Sequence, residues 1–207
     1  PGWRELRRLS LGANCPLMST AEILGLCHHL EVLSVYNVTG VDLALQSAAG
    51  RLSRLRHLEI FCTISSPDEL YQQFIQHLRN LRTLKLAMCR RPHWGSFTLA
   101  GLEQVVLGGV ELSHVISIVG TGQSLRELTL DIGDSCNPQD VEVLVQALLR
   151  LRQLRFFEFC DREIPCLSER LDADFVTAQL SRTASWQVTN NVNQIAWKRM
   201  SQRFDEE

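Results

Sequence analysis

A six-residue phrase, leucine-x-x-leucine-x-leucine, recurs seven times in the 207 residues, and no other feature limits the fold so tightly. It reads Leu6-Arg7-Arg8-Leu9-Ser10-Leu11 at first. It returns from Leu30 to Val35, Leu55 to Ile60, Leu81 to Leu86, Leu102 to Leu107, Leu125 to Leu130 and Leu154 to Phe159. Successive copies start 24, 25, 26, 21, 23 and 29 residues apart. The last two apolar positions alternate with a third residue, and period two sends them to one side of a short strand. No copy can bury its own apolar face, so the copies must stack and neighbours must supply the core. Stacking pairs the strands in parallel and predicts a ladder through residues 33, 58, 84, 105 and 128.

Between the copies the apolar period becomes helical. Leu17, Ala21, Leu24 and His28 step along one face, as do Val41, Leu45, Ala48 and Leu52. Leu70, Phe74, Ile75 and Leu78 follow, then Val141, Leu144, Val145 and Leu148. Ser66-Pro67-Asp68-Glu69 reads as a helix start, with a cap, a proline in the first turn and acids against the dipole. Asn137-Pro138-Gln139-Asp140 reads the same way. The fourth repeat is short, and Pro92-His93-Trp94-Gly95 is expected to replace its full helix with a loop or single turn.

The phrase resembles the leucine-rich-repeat signature, whose expected step is 20–29 residues. Asn14 and Cys89 fit the signature's ninth position; Val38, Thr63, Val110, Gly133 and Arg162 depart from it. The asparagine ladder of the family is therefore expected to be incomplete. Helical connecting segments and ends without paired cysteines make the chain similar to the cytosolic, ribonuclease-inhibitor-like and F-box-associated types. The resemblance implies an α/β solenoid with a curved parallel sheet on its concave face and helices on its convex face. Residues 1–162 are read as the solenoid and 163–207 as a helical C-terminal cap and tail of the same domain. Helices are expected over 170–182 and 192–204, the second amphipathic through Val192, Ile195, Ala196, Met200 and Phe204. Trp186 and Trp197 are read as cap core. The first repeat begins without a polar cap, so an upstream part of the same polypeptide is expected to cover that end.

Composition narrows the function. The net charge of -2 sets up no overall field toward nucleic acid or an anionic membrane. No run of 18 or more apolar residues reads as a membrane span, and no signal peptide is visible. The seven cysteines are odd in number and scattered through apolar segments, which reads as reduced thiols in the cytoplasm or nucleus. One glycosylation sequon, Asn37-Val38-Thr39, points the other way. Lys85 and Lys198 are the only lysines among 21 basic residues. Coding bias explains that, or avoidance of lysine beside a ubiquitin-transfer machine.

Chemistry-bearing motifs are missing. No phosphate loop, G-x-G-x-x-G or G-x-S-x-G occurs. His28-His29, Cys89-x-x-x-His93 and Cys160-x5-Cys166 lack partners at zinc spacing. The chain is read as a non-enzyme without metal or cofactor.

The repeat itself points to a surface. If the leucines turn inward, the third, fifth, seventh and eighth positions face the concave side. Those positions supply Tyr36, His57, Glu59, Phe61, Lys85, Met88, Glu127, Asp131, Phe156 and Glu158 as candidate contacts. Tyr36, Phe61, Met88 and Phe156 have no core to fill there, so they anchor a partner or are covered by the chain's own loops. Glu127, Asp131, Glu158 and Asp161 form an acidic end, either solvated or facing a basic segment of the partner. Arg7, Arg56, Arg82, Arg126 and Arg155 recur at the second position and form one rim. They pair with neighbouring carboxylates and carbonyls, or grip phosphate or an acidic peptide. The expected partner is a protein, with no nucleic acid and no membrane. The resemblance implies the substrate-recognition part of an F-box ubiquitin ligase. The alternatives are the ligand-sensing repeats of an intracellular immune receptor and a scaffold in a nuclear or RNA-processing complex.

Overall fold

The computed structural model describes residues 2–13, 17–38, 41–64, 67–89, 97–110, 112–132, 138–160, 176–178, 186–191 and 194–199. Seven strands stack in chain order: β1 (Arg8–Leu11), β2 (Val32–Tyr36), β3 (His57–Ile64), β4 (Thr83–Cys89), β5 (Gln104–Val110), β6 (Glu127–Ile132) and β7 (Phe156–Cys160). Each neighbouring pair is parallel, and the ladder runs Leu9, Leu33, Leu58, Leu84, Val105, Leu128, Phe157 without a slip. This is the ladder that the repeat predicts. The fold is a leucine-rich-repeat solenoid.

The inward side chains explain why the strands lie so. From the second repeat to the seventh, every residue of that ladder is fully buried. So is the parallel row of Val35, Ile60, Leu86, Leu107, Leu130 and Phe159. Each such side chain contributes roughly 1.5–3 kcal/mol of burial, and the row exists only because the repeats stack. Phe157 and Phe159 meet edge to face, with centroids 4.9 Å apart.

A backbone device ties each repeat to the next where the strand begins. The carbonyl of the second-position residue in one repeat accepts two N–H groups from the next. Arg7 O takes Glu31 N at 2.8 Å and Val32 N at 3.0 Å. The pattern repeats at Glu31, Arg56, Arg82, Glu103 and Arg126. It uses main-chain groups alone, so any side chain is allowed there and the register survives varied sequence.

Helices form the opposite layer: α1 (Leu17–Leu26), α2 (Val41–Ala48), α3 (Pro67–Gln73), α4 (Leu112–Val119) and α5 (Pro138–Leu149). α2 buries Val41, Ala44, Leu45 and Ala48, the spacing of one helical face. α3 and α5 begin at the prolines that mark their starts in the sequence. α4 occupies the fifth repeat without having been expected there. The loop expected at Pro92–Gly95 lies outside the described residues. After it, Phe97 and Leu99 drop into the core from an irregular segment. Cys27 is buried and free, and burial pushes its thiol pKa up. Cys160, at the end of β7, is half-buried.

The C-terminal region corrects the sequence reading. Instead of a helix over 192–204, the chain forms β8 (Trp186–Asn191) and β9 (Gln194–Arg199). β9 lies antiparallel against β7 and pairs Trp197 with Phe157; β8 then pairs antiparallel with β9. The sheet order is β1 to β7, then β9, then β8. The helical spacing of Val192, Ile195 and Ala196 competes with alternation in Gln194–Arg199. The unpaired edge of β7 decides between them, because it offers a row of backbone partners. Of the segment expected to be helical over 170–182, residues 176–178 are described, and they are helical. The side chains of Trp186 and Trp197 lie outside the described set.

Candidate functional site

The concave face is read most directly as rows running across the strands. In the fifth-position row Ser34 pairs with Glu59, Glu59 with Lys85, and Lys85 with Val106. The strand spacing of ~4.8 Å brings these side chains within reach of one another. Glu59 is the shared acceptor. Its Oε1 takes Lys85 Nζ at 2.6 Å and His57 Nε2 at 3.1 Å. Its Oε2 takes the Ser34 hydroxyl at 2.9 Å and the Tyr36 hydroxyl at 3.1 Å. Four donors match the four lone-pair sites of a carboxylate.

The Glu59 side chain is only 12% exposed. Burial acts to raise its pKa. Hydrogen bonds from Lys85, Ser34 and His57, with the charge of Lys85, outweigh that and hold it down at about 2. Glu59 is therefore an ionised tie between three strands, saturated by its own neighbours.

Beside this tie lies the apolar part of the face. Tyr36 and Phe61 occupy adjacent strands at the seventh position. Their rings stack at 5.2 Å between centroids and 5° between planes. Tyr36 is 39% exposed, although it has an aromatic neighbour and a hydrogen-bonded hydroxyl. Both ends of this side chain are fixed, so it presents a ring face to solvent at little further cost in entropy. Asn37, just beyond, has a φ of 53° and donates its N–H to Phe61 O at 3.0 Å, which closes the strand end beside the pair. Asparagine tolerates that left-handed conformation better than most residues.

The same row then steps down. Phe61 pairs with Ala87 rather than Met88, and the next two positions are Gly108 and Asp131. Met88 belongs to β4, but its side chain lies outside the described residues. A Cβ on Gly108 would sit 3.2 Å from the Ala87 Cα and 3.3 Å from its Cβ, closer than ordinary contact. Ala87 and Gly108 thus form a small-residue step beside the aromatic pair, which sequence reading missed. The seventh-position string Tyr36, Phe61, Ala87, Gly108, Asp131 was the signal for it.

The acidic end is less uniform than its composition suggests. Asp131 is 9% exposed, and its Oδ2 lies 3.6 Å from where a Gly108 Cβ would stand. It is thus set down over the glycine instead of standing free, as the sequence reading had it. Glu127 is exposed and accepts Gln104 Nε2 at 2.8 Å. Glu158 accepts the Thr129 hydroxyl at 3.0 Å. Phe156 is half-buried, between Glu127 on one side and Lys198 of β9 on the other. Asp161 lies outside the described residues.

Among the described residues, no group of three or more His, Cys, Asp or Glu could hold a metal ion, and no helix is long and apolar enough to cross a membrane.

No protein-family model matches the chain, and no curated protein matches it either. Among solved structures it is similar to an internalin from Listeria monocytogenes, at 14% identity and a TM-score of 0.38, over 88% of this chain and 73% of that one. It is also similar to a structure described as leiomodin-1 actin-binding site 2, at 13% identity and a TM-score of 0.31, over 87% of this chain and 82% of that one. Likenesses this distant carry no argument about function, and the fold rests on the chain's own parallel ladder.

Proposed function

We propose that this chain is a protein-recognition module that holds its partner on the concave sheet face, with Tyr36 and Phe61 as the anchor. One observation carries this reading: a stacked aromatic pair stands on the side of the sheet that faces away from the core. Aromatic side chains in that position concentrate binding energy at interfaces. Glu127 and Glu158, farther along, complement a basic segment of the partner. The module is read as a non-enzyme working in the cytoplasm or nucleus.

The finer reading is the substrate-recognition part of an F-box-type ubiquitin ligase. It rests on the resemblance of the repeats to that type and on the two lysines among 21 basic residues. A photo-crosslinking amino acid at position 36 tests the concave site, with position 43 on α2 as control, where Leu43 is 60% exposed. The expected result is a discrete adduct from position 36 and none of the same mass from position 43. Equal labelling from both would reject the concave site. Loss of ubiquitin chains from that partner when this protein is depleted would support the ligase reading, and unchanged chains would reject it.

A further inference from the structure

The second-position row holds charge that neither the core nor the concave face uses. It lies on the leading edge of the solenoid, where each repeat turns from its connecting segment into its strand. Seven segments make that edge: residues 2–7, 27–31, 49–56, 74–82, 97–103, 120–126 and 150–155. Together they contain eleven arginines and no lysine, against Glu5, Glu31 and Glu103 alone. The edge thus bears a formal charge of +8 in a chain whose net charge is -2. All eleven arginines are exposed. Residues 49–56 and 150–155 hold three each with no acid between them.

Internal pairing accounts for only part of this charge. Arg7 lies 3.6 Å from Glu31, and Arg82 and Arg126 share Glu103 at 3.5 and 3.6 Å. Among the described residues, the side chains of Arg56, Arg79 and Arg155 have no hydrogen-bond or ion-pair partner. Arg79 and Arg82 also line a cleft of about 150 Å³ between the third and fourth repeats, with Thr98 and Gly101 across from them.

We propose that this edge is a second docking surface, distinct from the concave face, and that it takes an extended acidic segment of a partner polypeptide. Seven rows at ~4.8 Å span about 29 Å, which an extended segment of about nine residues covers. Guanidinium forks match carboxylates two bonds at a time and, unlike lysine, lose little freedom on doing so. The cleft beside Arg79 receives one side chain of the segment. A nucleic acid fits less well. A duplex is far wider than one row and would also overlie Glu59, Glu127 and Glu158 on the adjoining face. A single strand needs aromatic platforms for its bases, and on this edge only Trp3, at one end, is an exposed aromatic.

The test is fluorescence anisotropy of a labelled nine-residue oligoglutamate with the full chain at ~50 mM salt, where surface charge is weakly screened. The triple variant Arg56→Glu, Arg79→Glu, Arg155→Glu is expected to weaken binding by about tenfold or more. The same positions changed to Lys are expected to keep most of the affinity, which separates charge from damage to the fold. Tyr36→Ala with Phe61→Ala should leave oligoglutamate binding unchanged, so failure of the concave site would not be mistaken for failure of this edge. Wild-type affinity in the triple Glu variant would overturn the proposal. So would tighter binding of an oligouridylate or a DNA duplex of equal charge than of the peptide.

Discussion

Two patches of one sheet face hold their carboxylates in opposite ways. On β2, β3 and β4, Glu59 collects four donors from its own and two neighbouring strands and is nearly covered. On β6, among the described residues, the side-chain hydrogen bond to Glu127 comes from one neutral donor, Gln104. The number of acids does not separate the two patches; the number of charged and hydrogen-bonding neighbours does. Where the fifth-position row reads Ser, Glu, Lys, each repeat supplies what the next needs. The result is a rigid platform beside Tyr36 and Phe61. Where the row reads Gln, Glu, the Glu127 carboxylate keeps capacity for an outside donor. The first patch is built to position, the second to receive.

Removing core beneath the positioning patch should have the largest effect. Leu58 is fully buried, and in β3 it lies between His57 and Glu59. Leu58→Ala should cost about 2–5 kcal/mol in urea unfolding, from lost transfer energy and the cavity left behind. A smaller loss than that of a surface substitution would mean the strand is not packed as described.

The next effect isolates the positioning patch. The Glu59 pKa falls from 4.5 unfolded to about 2 folded. A lowered folded pKa contributes stability that is full above pH 4.5 and is lost as pH falls toward 2. The loss amounts to about 3 kcal/mol at most. Unfolding free energies measured at pH 7, 4 and 2.5 should show this slope, and Glu59→Gln should flatten it.

Smaller still is the step between the patches. Gly108→Val brings a side chain against the Ala87 backbone and Asp131, and should cost about 1–3 kcal/mol by overpacking. Thermal unfolding checks it; an unchanged midpoint would show that the step is open space. Last comes Glu127→Gln, an exposed change expected to stay within about 0.5 kcal/mol. A larger loss would move Glu127 from receiving to positioning.

The sequence reading located the strands well because the leucine phrase is a count, and counting survives variation in everything else. It placed Tyr36, His57, Glu59, Phe61 and Lys85 on the concave side for the same reason. It did not show that Glu59 joins the other three polar groups. That depends on which residues face one another across strands 25 and 26 positions apart, and the helices between them absorb the difference. In the fourth repeat the reading named Met88 at the eighth position and passed over Ala87 at the seventh, because a large side chain attracts notice and a small one does not. The C-terminal strands went unread because Gln194–Arg199 satisfies both periods, and the choice was made by a β7 edge far away in sequence. Asp131 looked free because nothing in its own repeat announces that Gly108, one repeat earlier, leaves room beneath it.

The proposal for the concave face is tested most directly by the affinity of the crosslinked partner for Tyr36→Ala with Phe61→Ala. Both residues sit outside the buried rows, but the change removes one of the four donors to Glu59, so the account predicts a folded variant with a modestly lower melting temperature. It also predicts a loss of affinity of about thirtyfold or more, as expected for a central aromatic anchor. Unchanged affinity in a folded double variant would contradict it.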